Sequence, residues 1–210
     1  MLASMANSIY TATMPQSSLS HSIHELLSRR DGRSVVTISG PTAAGKSTLA
    51  GATHDIFNDS VIVHTDDYYY DDDDMPDEVI LGDEIDYDHP HAVQLGRVAQ
   101  DLSSLMAGLP VLKPAHRQPH RLEAIMPRQL IIVEGLVANH PTIRALSQLA
   151  ILVTAPAQVR LERRIDRDFA RYRRSSAATT RIFNEFAEPA YHAYHATNDA
   201  TADVIIESSE

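Results

Sequence analysis

Gly40-Pro41-Thr42-Ala43-Ala44-Gly45-Lys46-Ser47 places two glycines, a lysine and a serine at the spacing that can grip a polyphosphate. The pattern G-x-x-x-x-G-K-S uses glycines so that backbone N–H groups can turn inward on phosphate oxygens. It adds a lysine long enough to reach the β- and γ-phosphates and a hydroxyl able to ligate Mg²⁺. Residues 34–39, SVVTIS, form a β-branched apolar run of strand length, and Thr48-Leu49-Ala50-Gly51-Ala52 can open a helix whose positive dipole end would face the anion. The strand-loop-helix context this chemistry requires is therefore present.

The remaining groups that could do chemistry are segregated by sign. Twelve acids and no Lys or Arg lie between Asp66 and Asp88, so removing them from the net charge of −10 leaves the rest of the chain at +2. A second block, Arg160 to Arg181, holds eight arginines, and one of only two lysines is Lys46. Both blocks are expected to flank the phosphate site. With no cysteine, disulfides, thiolate metal sites and cysteine nucleophiles are excluded, which fits a reducing compartment. The apolar runs are strand-sized and residues 1–20 lack the charged-then-apolar layout of a secretory signal. The expectation is a cytoplasmic protein with no membrane or nucleic-acid partner. At 210 residues and 43% hydrophobic, the chain reads as a flexible tail over 1–20 and one domain over 21–210.

The elements that must position these groups follow from periodicity. Ser22 with Glu25 predicts a capping box on a short helix. Strands are expected at about 34–39, 61–65, 130–135, 149–153 and 203–206, with helices after the phosphate loop to about Phe57, from Pro90 to Gly108, over 156–174 and over 177–194. Stretches 66–88 and 109–128 read as loops. Strands alternating with helices predict an α/β class, a three-layer α/β/α sandwich on a mostly parallel five-stranded sheet. Two strands end on acids, at Asp66 and Glu134, and ligands bind at the carboxyl ends of parallel strands.

In order, GPTAAGKST, TDDYY, YDHPHA, IIVEGL, RLERRIDRD and ADVII resemble the uridine kinase family of P-loop kinases, whose relatives include nicotinamide riboside kinase, phosphoribulokinase and bacterial pantothenate kinase. The resemblance spans about residues 34–206. It implies the P-loop NTPase fold with an Arg-rich helical lid, ATP and Mg²⁺ as cofactors, and a small-molecule acceptor, with room for a homo-oligomer. Asp66 is similar to the family's acid-base, and Lys46, Arg164 and Arg167 complete the implied catalytic set. Gly40, Pro41, Thr42, Ala43, Ala44, Gly45, Lys46, Ser47, Thr48 and Arg174 would hold the nucleotide, and Ser47 and Glu134 the metal. Tyr69, Tyr87, Asp88, His116 and Arg164 would meet the acceptor, Asp88 through ribose hydroxyls or as a helix N-cap. Asp67 is the weaker neighbour of Asp66, and Arg160 and Arg163 are expected to face solvent or pair with Glu162 and Asp166.

Two departures from the family pattern stand out, the first bearing on lid mobility and the second on the acceptor. The lid reads Arg171-Tyr172-Arg173-Arg174 where the family commonly has Arg-Gly-Arg. Upstream of Glu134, where uridine kinases carry a Tyr-Asp pair and His-Ser-Arg, this chain has 111–121, VLKPAHRQPHR, and only His116 keeps its place. Hydrogen-bonding groups carry most acceptor discrimination, so the expected reaction, γ-phosphate transfer to a hydroxyl of a nucleoside or related ribosyl compound, keeps a phosphorylated sugar and pantothenate as alternative acceptors. A non-catalytic nucleotide switch is the rival of another class, although the Asn-Lys-x-Asp motif of a GTPase is absent.

Overall fold

The computed structural model describes residues 16–28, 32–82, 84–115 and 118–208. Its centre is a five-stranded sheet of β1 (Ser34–Ser39), β2 (Ser60–His64), β7 (Leu130–Glu134), β8 (Leu149–Thr154) and β9 (Val204–Glu207), ordered β2-β7-β1-β8-β9 with every pairing parallel. The sheet is covered on both faces, which is why β1 and β7 are buried at every position and read as continuous apolar runs. Alternation sorts the side chains between the two faces. Val35, Val63, Ile131 and Val133 pack with Val98, Leu102 and Leu105 of α3 (Leu95–Met106), while Val36, Ile38, Ile132 and Ile151 pack with α1 (Gln16–Ser28) and α2 (Lys46–Ile56).

Register sets the height of the site. Ile38 lies opposite Glu134, and Glu134 opposite His64, so the phosphate loop, Glu134 and Thr65-Asp66 leave the sheet at one edge.

The five strands stand where the periodicity puts them, and several other boundaries move. The first helix begins at Gln16 rather than at Ser22, inside the stretch expected to be a tail, and residues 1–15 lie outside the described residues. Pro90 opens a 3-10 turn, Pro90–Ala92, capped by the ring of His89, and α3 starts only at Leu95. The expected loop 109–128 is largely a hairpin of β5 (Val111–Ala115) and β6 (Gln118–Ile125). Its prolines misled because Pro114 occupies the edge of a two-stranded ribbon, where a missing N–H is tolerated. The acidic stretch forms short 3-10 turns and the small pair β3 (Ile80–Leu81) and β4 (Glu84–Ile85). After α4 (Pro141–Arg144) and β8 comes the Arg-rich α5 (Ala157–Tyr172). Next, α6 (Ser176–Ile182) continues through π-helical turns to Asp199. No described helix is long and apolar enough to cross a membrane.

Candidate active site

The phosphate loop joins β1 to α2. Gly40 holds φ at 144°, and a Cβ there would stand 2.0 Å from the Val153 carbonyl oxygen of β8, so only glycine lets the loop pass this close to the sheet. Lys46 Nζ donates to the carbonyls of Gly40 (2.8 Å) and Pro41 (3.0 Å) across the loop. Burial lowers its pKa, opposed by the carboxylates of Glu134, Asp66 and Asp199, so these acids stand within electrostatic reach of its ammonium. Ser47 Oγ lies 3.3 Å from both oxygens of Glu134, which is buried and also meets His64 Nδ1 at 2.6 Å. That hydrogen bond raises the pKa of His64. A hydroxyl and a carboxylate side by side form a hard-oxygen donor set that fits Mg²⁺.

β2 ends at His64, and Thr65–Tyr68 turns as a 3-10 helix that splits two adjacent acids. Asp66 is exposed and lines a cleft of about 1370 Å³, whereas Asp67 is buried and pairs with Lys113 Nζ of β5 at 2.6 Å. Tyr69 and Tyr87 wall the cleft together, with the Tyr69 hydroxyl donating to the Tyr87 carbonyl at 2.9 Å and the rings edge-on at 6.0 Å. Asp88 lines it too. Because His89 supplies the cap of the following turn, the Asp88 carboxylate is not used as an N-cap. Burial raises its pKa while Arg164 pulls it down, which places a guanidinium near the carboxylate.

The opposite wall is built by α5. Positions 160, 164, 167 and 168 fall on one helical stripe, and Arg164, Arg167, Asp168 and, just past the helix, Arg174 all line the cleft. The two charge blocks therefore do face one another. Arg160 corrects the expectation of a solvent-facing residue: it is buried and forks onto Glu188, with Nη2 to Oε2 at 2.9 Å. Arg163 bonds to Ser208 at 3.1 Å rather than to Glu162 or Asp166.

His116 and Arg117 lie outside the described residues. Of the expected basic run, Lys113 is occupied by Asp67, Arg121 is exposed 3.8 Å from Glu123, and among the described residues Ala115 alone lines the cleft. Asp168, the last residue of RLERRIDRD, has no role assigned from sequence, and Ile182 and Phe186 of the next helix line the cleft without any motif. The i, i+4 spacing of Arg164 and Asp168 is the one available signal.

A phosphate loop whose lysine stands within electrostatic reach of an exposed strand-end carboxylate, itself in a cleft walled by arginines, defines the class of P-loop phosphotransferases. The sequence profile of the phosphoribulokinase / uridine kinase family matches residues 35–210, and the chain belongs to that family. It is 28% identical over 180 residues to a uridine kinase of Ligilactobacillus salivarius, covering 82% of this chain and 84% of that one. It is 30% identical over 181 residues to a uridine kinase of Clostridium perfringens, covering 81% and 85%. Among solved structures it is similar to a candidate fructose transport system kinase from a Silicibacter species, at TM-score 0.71 and 20% identity over 91% of this chain and 98% of that one. The protein is a phosphotransferase acting on a hydroxyl of a small molecule, and membership of the family implies ATP as the donor.

Proposed function

We propose that this chain transfers the γ-phosphate of ATP to a hydroxyl of a nucleoside or related ribosyl compound. The observation that carries the reading is the pairing of Asp66 and Asp88 in one cleft. Both lie within electrostatic reach of Lys46, and Asp88 is spared from capping. Asp66 accepts the proton of the acceptor hydroxyl as its oxygen attacks the γ-phosphorus, and the bond to the β–γ bridging oxygen breaks to release ADP. Asp88 orients the sugar by accepting from ribose hydroxyls. Lys46, Arg164, Arg167 and Arg174 meet the negative charge that spreads over the phosphoryl oxygens. Ser47 and Glu134 would hold Mg²⁺, which when bound neutralises charge on the β- and γ-phosphates.

A neutral acceptor is also favoured by the state of the basic run. Lys113 is spent on Asp67, and the wall around Tyr69 and Tyr87 carries Asp71, Asp72, Asp73, Asp74, Glu84 and Asp86. A phosphorylated sugar would meet that acidic wall with its own charge. The test is a γ-phosphate transfer screen over nucleosides, ribosyl compounds, sugar phosphates and pantothenate at low and high salt. Turnover on a nucleoside or ribosyl compound, with acceptor KM nearly independent of salt, is expected. Preferred turnover on a sugar phosphate with KM rising several-fold in salt refutes the assignment.

A further inference from the structure

We propose that Asp168 is the positioning residue that sets Arg164, Arg167 and Arg174 of the cleft in their working geometry, an inference that rests on the transfer reaction proposed above. Asp168 is 1% exposed, and both of its oxygens are engaged by guanidinium groups. Arg167 places Nε and Nη2 on Oδ1 at 3.0 and 2.9 Å, Arg174 places Nη1 on Oδ2 at 3.0 Å, and Arg164 Nε stands 3.5 Å from Oδ2. Burial alone would raise the carboxyl pKa. The hydrogen bonds and charges of Arg167, with those of Arg164 and Arg174, more than offset burial and hold it below the usual carboxylate value. Asp168 is thus a fixed anion, and substrate groups cannot displace its partners from below without leaving a buried charge unpaired.

Without that anion the cluster opposes itself. Burial and the neighbouring Arg167 push the pKa of Arg164 down, and the Asp168 carboxylate does more than any other group to hold it up. Arg164, whose buried Nε stands 3.5 Å from Oδ2, is the loosest held of the three. Three arginines gathered on one carboxylate carry a net charge of about +2, with Arg167 held by two hydrogen bonds and Arg174 by one. A carboxylate here cannot improve the affinity for polyphosphate by Coulomb attraction, since it repels it. Its contribution is orientation, which appears in turnover rather than in binding.

The opposing signs make a test that a purely structural role would not satisfy. Asp168→Asn keeps shape and removes the charge. We expect kcat to fall roughly 30- to 100-fold. The Kd of a non-hydrolysable ATP analogue, measured by titration calorimetry, should stay within about 3-fold of the wild-type value or tighten. Asp168→Glu keeps the charge but moves it by one methylene, and should lose roughly 10-fold in kcat with the same unchanged Kd. If the Asn variant fails to fold, the Glu variant alone decides. Turnover within about 2-fold of wild type in the folded variants, or kcat and ATP affinity lost in parallel, overturns the proposal. Should the wild type phosphorylate no acceptor tested, its slow ATP hydrolysis supplies the same comparison, so failure of the acceptor assignment is read separately. A wild-type protein that neither transfers nor hydrolyses overturns both.

Discussion

Gly135 follows Glu134 at the sheet edge, and replacing it by alanine tests whether that edge is as tightly built as the site requires. Its φ is 147°, and a Cβ there would stand 1.8 Å from Thr65 Oγ1 and 3.0 Å from Thr65 Cβ. Ordinary separations are about 3.5 Å or more, so β7 and the Thr65 turn must part by more than about 1 Å. A left-handed φ on a residue with a Cβ costs about 1–2 kcal/mol and forced overpacking about 1–3, which puts Gly135→Ala near 3 kcal/mol of lost stability. Asp66 Oδ1 lies 3.5 Å from the same point, so the carboxylate shifts with the turn, and a misplacement of about 1 Å is worth roughly 10²-fold in kcat. Urea unfolding and steady-state kinetics read both effects. Thr65 Oγ1 has no hydrogen-bond partner among the described residues, so Thr65→Ala alone should be close to neutral. Combined with Gly135→Ala it removes the shortest contact but not the φ strain, and should restore about 1 kcal/mol and part of the turnover. Gly135→Ala with stability within about 0.5 kcal/mol and kcat within about 2-fold of wild type would refute the reasoning.

Asp66→Asn should leave the Kd of ATP within about 3-fold while cutting kcat by about 10² or more, because the carboxylate is needed only when the hydroxyl gives up its proton; unchanged kcat moves that role elsewhere. Lys113→Met strands Asp67 in the interior and should cost about 3–5 kcal/mol in urea unfolding, whereas adding Asp67→Leu should recover most of it. His195 is buried, bonded to the Asp88 carbonyl at 2.7 Å and faced by Asp199, Asp88 and Lys46, and burial lowers its pKa. The unfolded chain therefore binds the extra proton, so stability falls as pH drops from about 7 toward 5; His195→Gln should flatten the Tm profile in that window, and an unaltered slope would assign it to other groups.

What could be read from the sequence was decided by how local the physics is. The phosphate loop, β1 and β7 were legible because each is a run whose own composition fixes its conformation and burial. The hairpin 111–125 was not, since Pro114 and the polar residues of β6 argue for a loop until the partner strand is in place. The start of α3 was misplaced for a related reason. Pro90 is a good first helical residue, and it does open a turn, but Gln94 donates its backbone N–H to the Tyr68 carbonyl, a contact 26 positions away that redirects the chain before Leu95.

Charge was the least local property, and the count of eight basic residues between Arg160 and Arg181 overstated what a substrate meets. Arg160 is neutralised by Glu188 from the following helix, Arg163 is turned toward Ser208 beyond β9, and Arg181 sits 3.5 Å from Glu185. Arg173 takes φ 54° at the end of α5 with its guanidinium over the Phe169 ring. Arg181, although paired, still lines the cleft with Arg164, Arg167 and Arg174, and Asp168 subtracts one charge from the last three while fixing their directions. The same accounting applies across the cleft, where Asp67 is consumed by Lys113 and Asp66 beside it is left exposed toward the cleft. Adjacent residues of one type thus divide into structural and functional members by which element packs over them. Under the transfer reaction proposed above, the position of Asp66 within electrostatic reach of Lys46 matters more than the number of acids in the block.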